Sequence, residues 1–222
     1  MATTVEQRTT RERTSVQPLQ AAPWYQERKR LLIGALIAVV VAGLVAWLFI
    51  TSARRKEQFA TRSLNQARAA AEAGNLPLAS SELQKLITTY GGTGAAKEAV
   101  ITLNQVRLVN GQSELAAVNL REFLAKNPKP EYAAPAYGLL GAALENAHKW
   151  PDAGDAYASA SRAAELDYLK ARYLVEAGRA YREAGKLKEA EAAYREVIEK
   201  YPKTSSLTEA QVRLAELTDG KM

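Results

Sequence analysis

The sequence predicts an all-α protein: a single N-terminal transmembrane helix, followed by an α-solenoid of four 37-residue helix pairs and a C-terminal capping helix. Residues 31–50 form an uninterrupted apolar stretch, and the residues after it repeat their pattern every 37 positions. Residues 205–217 then have the pattern of one more helix in the same register. The expected segments are a tail at 1–30, the span at 31–50, a basic juxtamembrane segment at 51–59, the repeats at 60–204 and the cap at 205–222.

The apolar stretch 31–50, LLIGALIAVVVAGLVAWLFI, contains no charged side chain. Twenty helical residues measure about 30 Å, the thickness of the hydrocarbon core of a bilayer. Basic clusters at 28–30 and 54–56 border the stretch. A buried core helix would have a polar side, and a cleaved signal peptide would have a shorter apolar region and a shorter leader. We therefore predict an uncleaved single-pass anchor.

One face of the predicted span carries only small residues, spaced four apart: Gly34, Ala38, Ala42 and Ala46. Residues four apart lie on the same side of a helix. A face of small side chains lets a second transmembrane helix approach closely, and packing then provides the energy of association. We therefore predict that this face packs against a transmembrane helix of a partner.

The net charge of +6 is confined to the residues that flank the span. From Glu57 to Met222 the chain has 21 basic and 21 acidic side chains, so the repeat domain is neutral and no nucleic-acid partner is expected. Basic residues are equally frequent near both ends of the span, so the positive-inside rule gives no preference.

The 30-residue tail with its six basic side chains resists translocation, whereas a long domain crosses largely regardless of charge. We therefore expect a cytoplasmic tail and a periplasmic repeat domain in a bacterial inner membrane. The polar tail is expected to be disordered unless a partner holds it.

A turn position recurs four times at a spacing of 37, occupied by Gly74, Gly111, His148 and Gly185. Five residues after each of them stands an alanine: Ala79, Ala116, Ala153 and Ala190. Four copies at one fixed spacing predict a solenoid of stacked units. Glycine at such a turn permits the positive φ of a helix C-terminus, and His148 is expected to take the same conformation.

The fourth copy shows how one unit buries itself. Its first helix has an apolar stripe at Leu174, Ala177, Gly178 and Tyr181, and its second helix has one at Leu187, Ala190, Tyr194, Val197 and Ile198. Small residues such as Gly178 and Ala190 are expected to let the two helices approach closely, with the tyrosines filling the space around them.

The stretch LVEAGRAYREAGKLKEAEAAYREVIEKYP, residues 174–202, resembles the tetratricopeptide repeat (TPR) family. Its units usually have 34 residues, so three extra residues are expected between consecutive repeats here. The resemblance implies that the first helices line a concave, partner-binding groove. Mapping the family's groove positions onto the long side chains of this sequence gives Arg68, Gln105, Leu108, Glu145, Arg172, Arg179 and Arg182.

Three of these groove residues, Arg172, Arg179 and Arg182, share one face of a predicted helix. They are expected either to clamp carboxylates of a partner or to pair locally, Arg172 with Glu176 and Arg179 with Glu183. The sequence leaves both alternatives open.

The residues of a catalytic site are missing from the sequence. It has no cysteine, its one histidine occupies a turn position, and it has no metal-ligand cluster and no glycine-rich phosphate loop. We expect a protein without enzymatic activity, cofactor or small-molecule substrate.

The membrane anchor, short tail and non-catalytic TPR domain together resemble the YfgM family of ancillary, chaperone-like proteins of the bacterial Sec translocon. The partner implied is therefore an integral membrane complex. Two alternatives remain open at this point: an accessory subunit or scaffold of another large inner-membrane complex, respiratory or photosynthetic, and a TPR regulator that faces the cytosol.

Overall fold

The computed structural model describes residues 23–218, and this range contains helices and no strands. The chain divides into two compact units, Met1–Ser52 and Ala53–Met222. The helices are α1 (Pro23–Glu72), α2 (Leu76–Tyr90), α3 (Gly94–Val109), α4 (Ser113–Leu124), α5 (Pro130–Asn146), α6 (Trp150–Ala163), α7 (Asp167–Glu183), α8 (Leu187–Lys200) and α9 (Ser206–Leu217).

The described part of the first unit is the N-terminal half of α1. The segment Leu31–Glu72 contains an 18-residue window with a mean hydropathy of 2.8, none of it buried. By length and composition this helix is able to cross a membrane. Helix α1 begins at Pro23, so it also includes residues 23–30. The rest of the predicted tail, residues 1–22, lies outside the described residues.

The second unit contains the repeat array. The C-terminal part of α1 pairs with α2, α3 with α4, α5 with α6, and α7 with α8, and the single helix α9 follows. The predicted fold class, an all-α solenoid of four helix pairs with a capping helix, is confirmed.

Every turn between paired helices contains one residue with positive φ, at the predicted position. The φ angles of Gly74, Gly111 and Gly185 are 79°, 72° and 71°. His148 has a φ of 57°, a conformation that glycine adopts without strain and that histidine tolerates better than most side chains. The histidine is therefore a turn residue, as its position in the repeat predicts.

The recurring alanines are fully buried, at Ala79, Ala116, Ala153 and Ala190. The tyrosine of the second helix packs directly on the first helix: a Cβ on Gly178 would lie 2.5 Å from the Tyr194 ring, and one on Gly141 would lie 2.7 Å from the Tyr157 ring. The prediction that Leu187 belongs to the buried stripe is wrong. Leu187 is 53% exposed because it is the first residue of α8 and lies at the turn rather than along the buried stripe.

The start of α3 is held by a side chain from α1. The carboxylate of Glu57 accepts hydrogen bonds of 2.9 Å from the backbone amides of Gly94 and Ala95. The Thr93 hydroxyl accepts a third, of 3.1 Å, from the amide of Ala96. Because these amides have no acceptor within their own helix, the contact satisfies them and places a negative charge at the positive end of the helix.

The buried hydrophobic residues form two clusters. One includes residues of α1, α2 and α3, and the other extends from α4 to α9.

At the helix crossing in the second repeat, Asn104 is fully buried where the next two repeats have Gly141 and Gly178. Its amide donates to the Val100 carbonyl, 2.8 Å, and its side-chain oxygen accepts from Arg107, 3.2 Å. The second repeat therefore has a polar contact where the third and fourth repeats have a tyrosine packed on a glycine.

Candidate protein-binding groove

Three adjacent cavities lie along the face formed by the first helices of the repeats, and Ile101 lines all three. The cavity between α1 and α3 has a volume of about 440 Å³. The next, where α1, α3 and α5 meet, has about 370 Å³. The third, between α3, α5 and α7, has about 270 Å³. We call this row of cavities the groove.

The groove has an apolar wall and a few polar side chains. Its apolar residues include Leu76, Val106, Val109, Ile101, Pro135 and Leu139. Its polar side chains include Arg68, Glu98, Gln105, Arg172 and Glu176. Such a combination is typical of binding sites, in which apolar area provides affinity and a few polar groups fix orientation.

The residues that the sequence assigned to the groove occupy three kinds of position. Arg68, Gln105 and Arg172 line the cavities. Leu108 instead packs half-buried against the larger hydrophobic cluster. The other three take part in ion pairs: Glu145, Arg179 and Arg182.

Glu145 is the centre of a polar network between the third and fourth repeats. It accepts a hydrogen bond of 2.9 Å from the Tyr157 hydroxyl and forms an ion pair of 2.9 Å with Arg179. Arg179 also pairs with Glu176 at 2.6 Å. Burial, and then the carboxylate of Glu145, raises the pKa of the Tyr157 hydroxyl, which therefore stays protonated and donates. Burial lowers the pKa of Arg179, but the two carboxylates outweigh it, so that pKa is raised.

Arg182 pairs with Glu183 at 3.3 Å and with Glu216 of α9 at 3.2 Å. The two local pairs expected from the sequence, Arg172 with Glu176 and Arg179 with Glu183, are therefore wrong. In the described part of the chain Arg172 forms no ion pair; its guanidinium lies 5.9 Å from the centre of the Tyr173 ring. The pairs of Arg179 with Glu145 of α5 and of Arg182 with Glu216 of α9 join different helices, so local spacing could not predict them.

Sequence reasoning missed several groove residues, including Ile101, Pro135 and Tyr173. The 37-residue period could have identified two of them, because they occupy the same positions of the repeat as other groove residues. Pro135 stands one period before Arg172, and Ile101 stands one period before Gly138, which also lines the groove. The restriction to long side chains excluded both. Tyr173 is different, because its ring reaches the groove by packing over Gly138, where a Cβ would lie 2.6 Å away.

Pro135 lies inside α5, where proline is uncommon. It has no amide hydrogen, so the carbonyl of Glu131, four residues earlier, loses its usual helical donor. Glu131 and Pro135 line the same cavity. The helix beside this part of the groove therefore has one backbone carbonyl without its i+4 donor.

A family model, the tetratricopeptide repeat-like domain, matches residues 23–219. The chain belongs to this family. The repeat array is thus a TPR protein-interaction module. No curated protein sequence matches the chain. Among the described residues no group of three His, Cys, Asp or Glu side chains is placed to hold a metal ion.

Several solved structures are similar to this chain in fold. The MamA protein superposes with a TM-score of 0.58 and 20% identity, over 73% of this chain and 82% of that one. A tetratricopeptide repeat protein from Parabacteroides merdae has a TM-score of 0.58 and 13% identity, covering 73% and 61%. The TPR-like repeats of a putative kinesin light chain from Podosopora anserina have a TM-score of 0.56 and 16% identity, covering 72% and 84%.

Proposed function

We propose that this protein is a single-pass, membrane-anchored TPR module, without enzymatic activity, that binds a protein partner in its groove. The row of three cavities sharing Ile101 carries the proposal. Its apolar wall supplies area to bury, and its polar side chains, of which Gln105 and Arg172 are exposed, supply orientation. Residues 31–50 are the anchor, because their large apolar side chains are exposed and would be costly to leave in water.

We propose further that the partner is an integral membrane complex, the Sec translocon, for which the protein acts as a chaperone-like ancillary subunit. The likeness of the architecture to the YfgM family supports this assignment. The basic tail and the neutral repeat domain favour a cytoplasmic N-terminus and a periplasmic repeat domain in a bacterial inner membrane.

Site-specific photo-crosslinking in intact membranes tests the groove. A photoreactive residue at Gln105, which is exposed in the groove, is expected to crosslink a discrete subunit of a membrane complex. The matched control is Leu115, exposed on α4 and outside the three cavities. Mass spectrometry of the product distinguishes a Sec subunit from a subunit of a respiratory or photosynthetic complex. Equal crosslinking of one partner from both positions would contradict the groove assignment.

Protease added to intact spheroplasts tests the orientation. The proposed topology predicts that the repeat domain is digested while a tag on the N-terminal tail survives. If the repeat domain survives until the membrane is permeabilised, the protein is instead a cytosol-facing TPR regulator.

The small face of the span is a second proposed contact with the same complex. Gly34, Ala38, Ala42 and Ala46 lie on one side of α1. The double substitution Ala38→Leu and Ala42→Leu is expected to reduce co-purification of the partner in mild detergent while membrane insertion is unchanged. Val40→Leu, on the opposite side of the helix, is the control. Co-purification equal to that of wild type would contradict the proposal that this face packs against a partner helix.

A further inference from the structure

The groove of this chain is built for a particular kind of protein segment. Resting on the proposed function, we infer that the partner segment is mainly apolar and carries one carboxylate, which pairs with Arg172. An acidic segment held by several arginines is the contrary expectation, and the sequence allows it because three arginines share the face of α7.

The first argument is the charge balance around these arginines. Arg179 lies between Glu145 and Glu176, and Arg182 lies between Glu183 and Glu216. Both guanidinium groups are therefore already neutralised within the fold. An incoming carboxylate would have to displace one of these glutamates or share its arginine with it, and it would meet like charges nearby. Arg179 and Arg182 consequently offer no net attraction to an acidic run.

Arg172 differs from the other two. It is exposed, forms no ion pair within residues 23–218, and lines the same cavity as Ile101 and Pro135. Its guanidinium lies 5.9 Å from the centre of the Tyr173 ring, which packs over Gly138. The attraction between a cation and the face of a ring at this distance favours this position of the arginine, while its hydrogen-bond donors remain available. The groove thus presents one oriented cation at the edge of an apolar surface.

The second argument is the apolar surface itself. From Arg172 toward the first repeat the groove passes Leu139, Pro135 and Ile101 and ends at Val109, which is 73% exposed. Arg68, the other arginine along this path, is paired with Glu98 at 3.0 Å. A partner gains most by burying apolar side chains along this path and placing a single carboxylate at its Arg172 end. The chemistry of the groove therefore selects an apolar segment with one acid.

The test uses the full-length protein in nanodiscs and a phage-displayed library of random linear peptides. Peptides enriched on the wild-type chain are counter-selected on the variant Ile101→Asp, which places one charge at the residue that all three cavities share. The expected sequences are apolar with one Asp or Glu.

Binding is then measured by fluorescence anisotropy with three synthetic peptides: the enriched sequence, its Glu→Gln version and its Glu→Lys version. Each peptide is titrated with the wild-type protein and with the variants Arg172→Glu and Arg162→Glu.

The inference predicts that Glu→Gln in the peptide and Arg172→Glu in the protein each weaken binding about tenfold, the change in Kd that corresponds to one strong ion pair. Arg172→Glu should also bind the Glu→Lys peptide better than wild type does. The control Arg162→Glu, an exposed arginine of α6 outside the groove, should bind like wild type. Circular dichroism checks that every variant is folded.

Two other results are informative. Enrichment of acid-rich peptides, or binding that is insensitive to Arg172→Glu, overturns the inference and leaves the groove as a protein-binding site. If no enriched peptide depends on Ile101, the proposed function itself fails, and the inference fails with it.

Discussion

The third and fourth repeats contain the same tyrosine, one period apart, but give its hydroxyl opposite surroundings. The rings of Tyr157 and Tyr194 each pack over a glycine of the paired helix. The Tyr157 hydroxyl donates to Glu145. The Tyr194 hydroxyl is buried, and within the described residues it has no hydrogen-bond partner. Burial raises the pKa of both hydroxyls.

The difference arises because the ion pair beside the tyrosine is reversed. One period after Glu145 stands Arg182, and one period after Arg179 stands Glu216. Glu145 and Arg179 pair across 34 residues, and so do Arg182 and Glu216, with the signs exchanged. A carboxylate therefore receives the hydroxyl proton in the third repeat, whereas an arginine, which has only donors, takes its place in the fourth. The repeat fixes the packing of the ring and leaves the polar surface free to vary.

The largest expected effect tests what the two repeats share. Ala153→Leu and Ala190→Leu each place a large side chain where no space exists, since both alanines are fully buried. Overpacking costs about 1–3 kcal/mol, so each variant should lower the Tm of the repeat domain by several degrees. Thermal unfolding followed by circular dichroism measures it. Ala192→Leu, at an exposed position of α8, is the control and should melt like wild type.

The next effect tests what differs between the two repeats. Tyr157→Phe removes a hydrogen bond to a carboxylate and should lower the free energy of unfolding by about 1.5 kcal/mol. Urea unfolding of the full chain in detergent gives the value. The substitution also removes the contribution of the Tyr157 hydroxyl to the pH dependence of stability. Because the pKa of Tyr157 is raised in the folded state, stability is unaffected below about pH 10 and falls as the pH rises above it.

From pH 9 to pH 11 the wild-type protein should lose more stability than the variant, so the difference between their free energies of unfolding should shrink. A difference that grows over this interval would contradict the raised pKa of Tyr157.

A smaller effect is expected from exchanging the ion pair of the third repeat. Glu145→Arg alone brings an arginine against Arg179 and should destabilise the chain. The double variant with Arg179→Glu restores an ion pair between positions 145 and 179 with the signs of the fourth repeat, but it sets the new carboxylate against Glu176, where the fourth repeat has Arg213. The double-mutant cycle should give a coupling energy of about 1 kcal/mol. Restoration should remain incomplete, because the Tyr157 hydroxyl then lacks its acceptor and Glu176 loses its arginine and faces a like charge. Additive effects of the two single changes would mean that the pair contributes nothing.

The smallest effect is expected for Tyr194→Phe. The hydroxyl has no partner among the described residues, so its removal loses no hydrogen bond and relieves the cost of a buried polar atom. The free energy of unfolding should stay within about 0.5 kcal/mol of wild type or rise slightly. A loss as large as that of Tyr157→Phe would show that Tyr194 has a partner after all.

The sequence alone determined the features that repeat along the chain. The spacing of 37 identified four turns, and the φ angles at Gly74, Gly111, His148 and Gly185 agree with that reading. The same spacing identified the buried alanines. These features follow from helix periodicity and turn chemistry, which act over a few residues and are therefore legible in a single sequence.

Only the tertiary structure decided which charged groups meet between different helices. Glu57 reaches the start of α3 from 37 residues away, Arg179 pairs with Glu145 of α5, and Arg182 pairs with Glu216 of α9. Partners of this kind depend on how one repeat is placed on the next. An exposed side chain has several carboxylates within reach, and small differences in distance and burial select among them. The same placement left Arg172 as the unpaired arginine of the groove in the described part of the chain, which the sequence could not distinguish from Arg179 and Arg182.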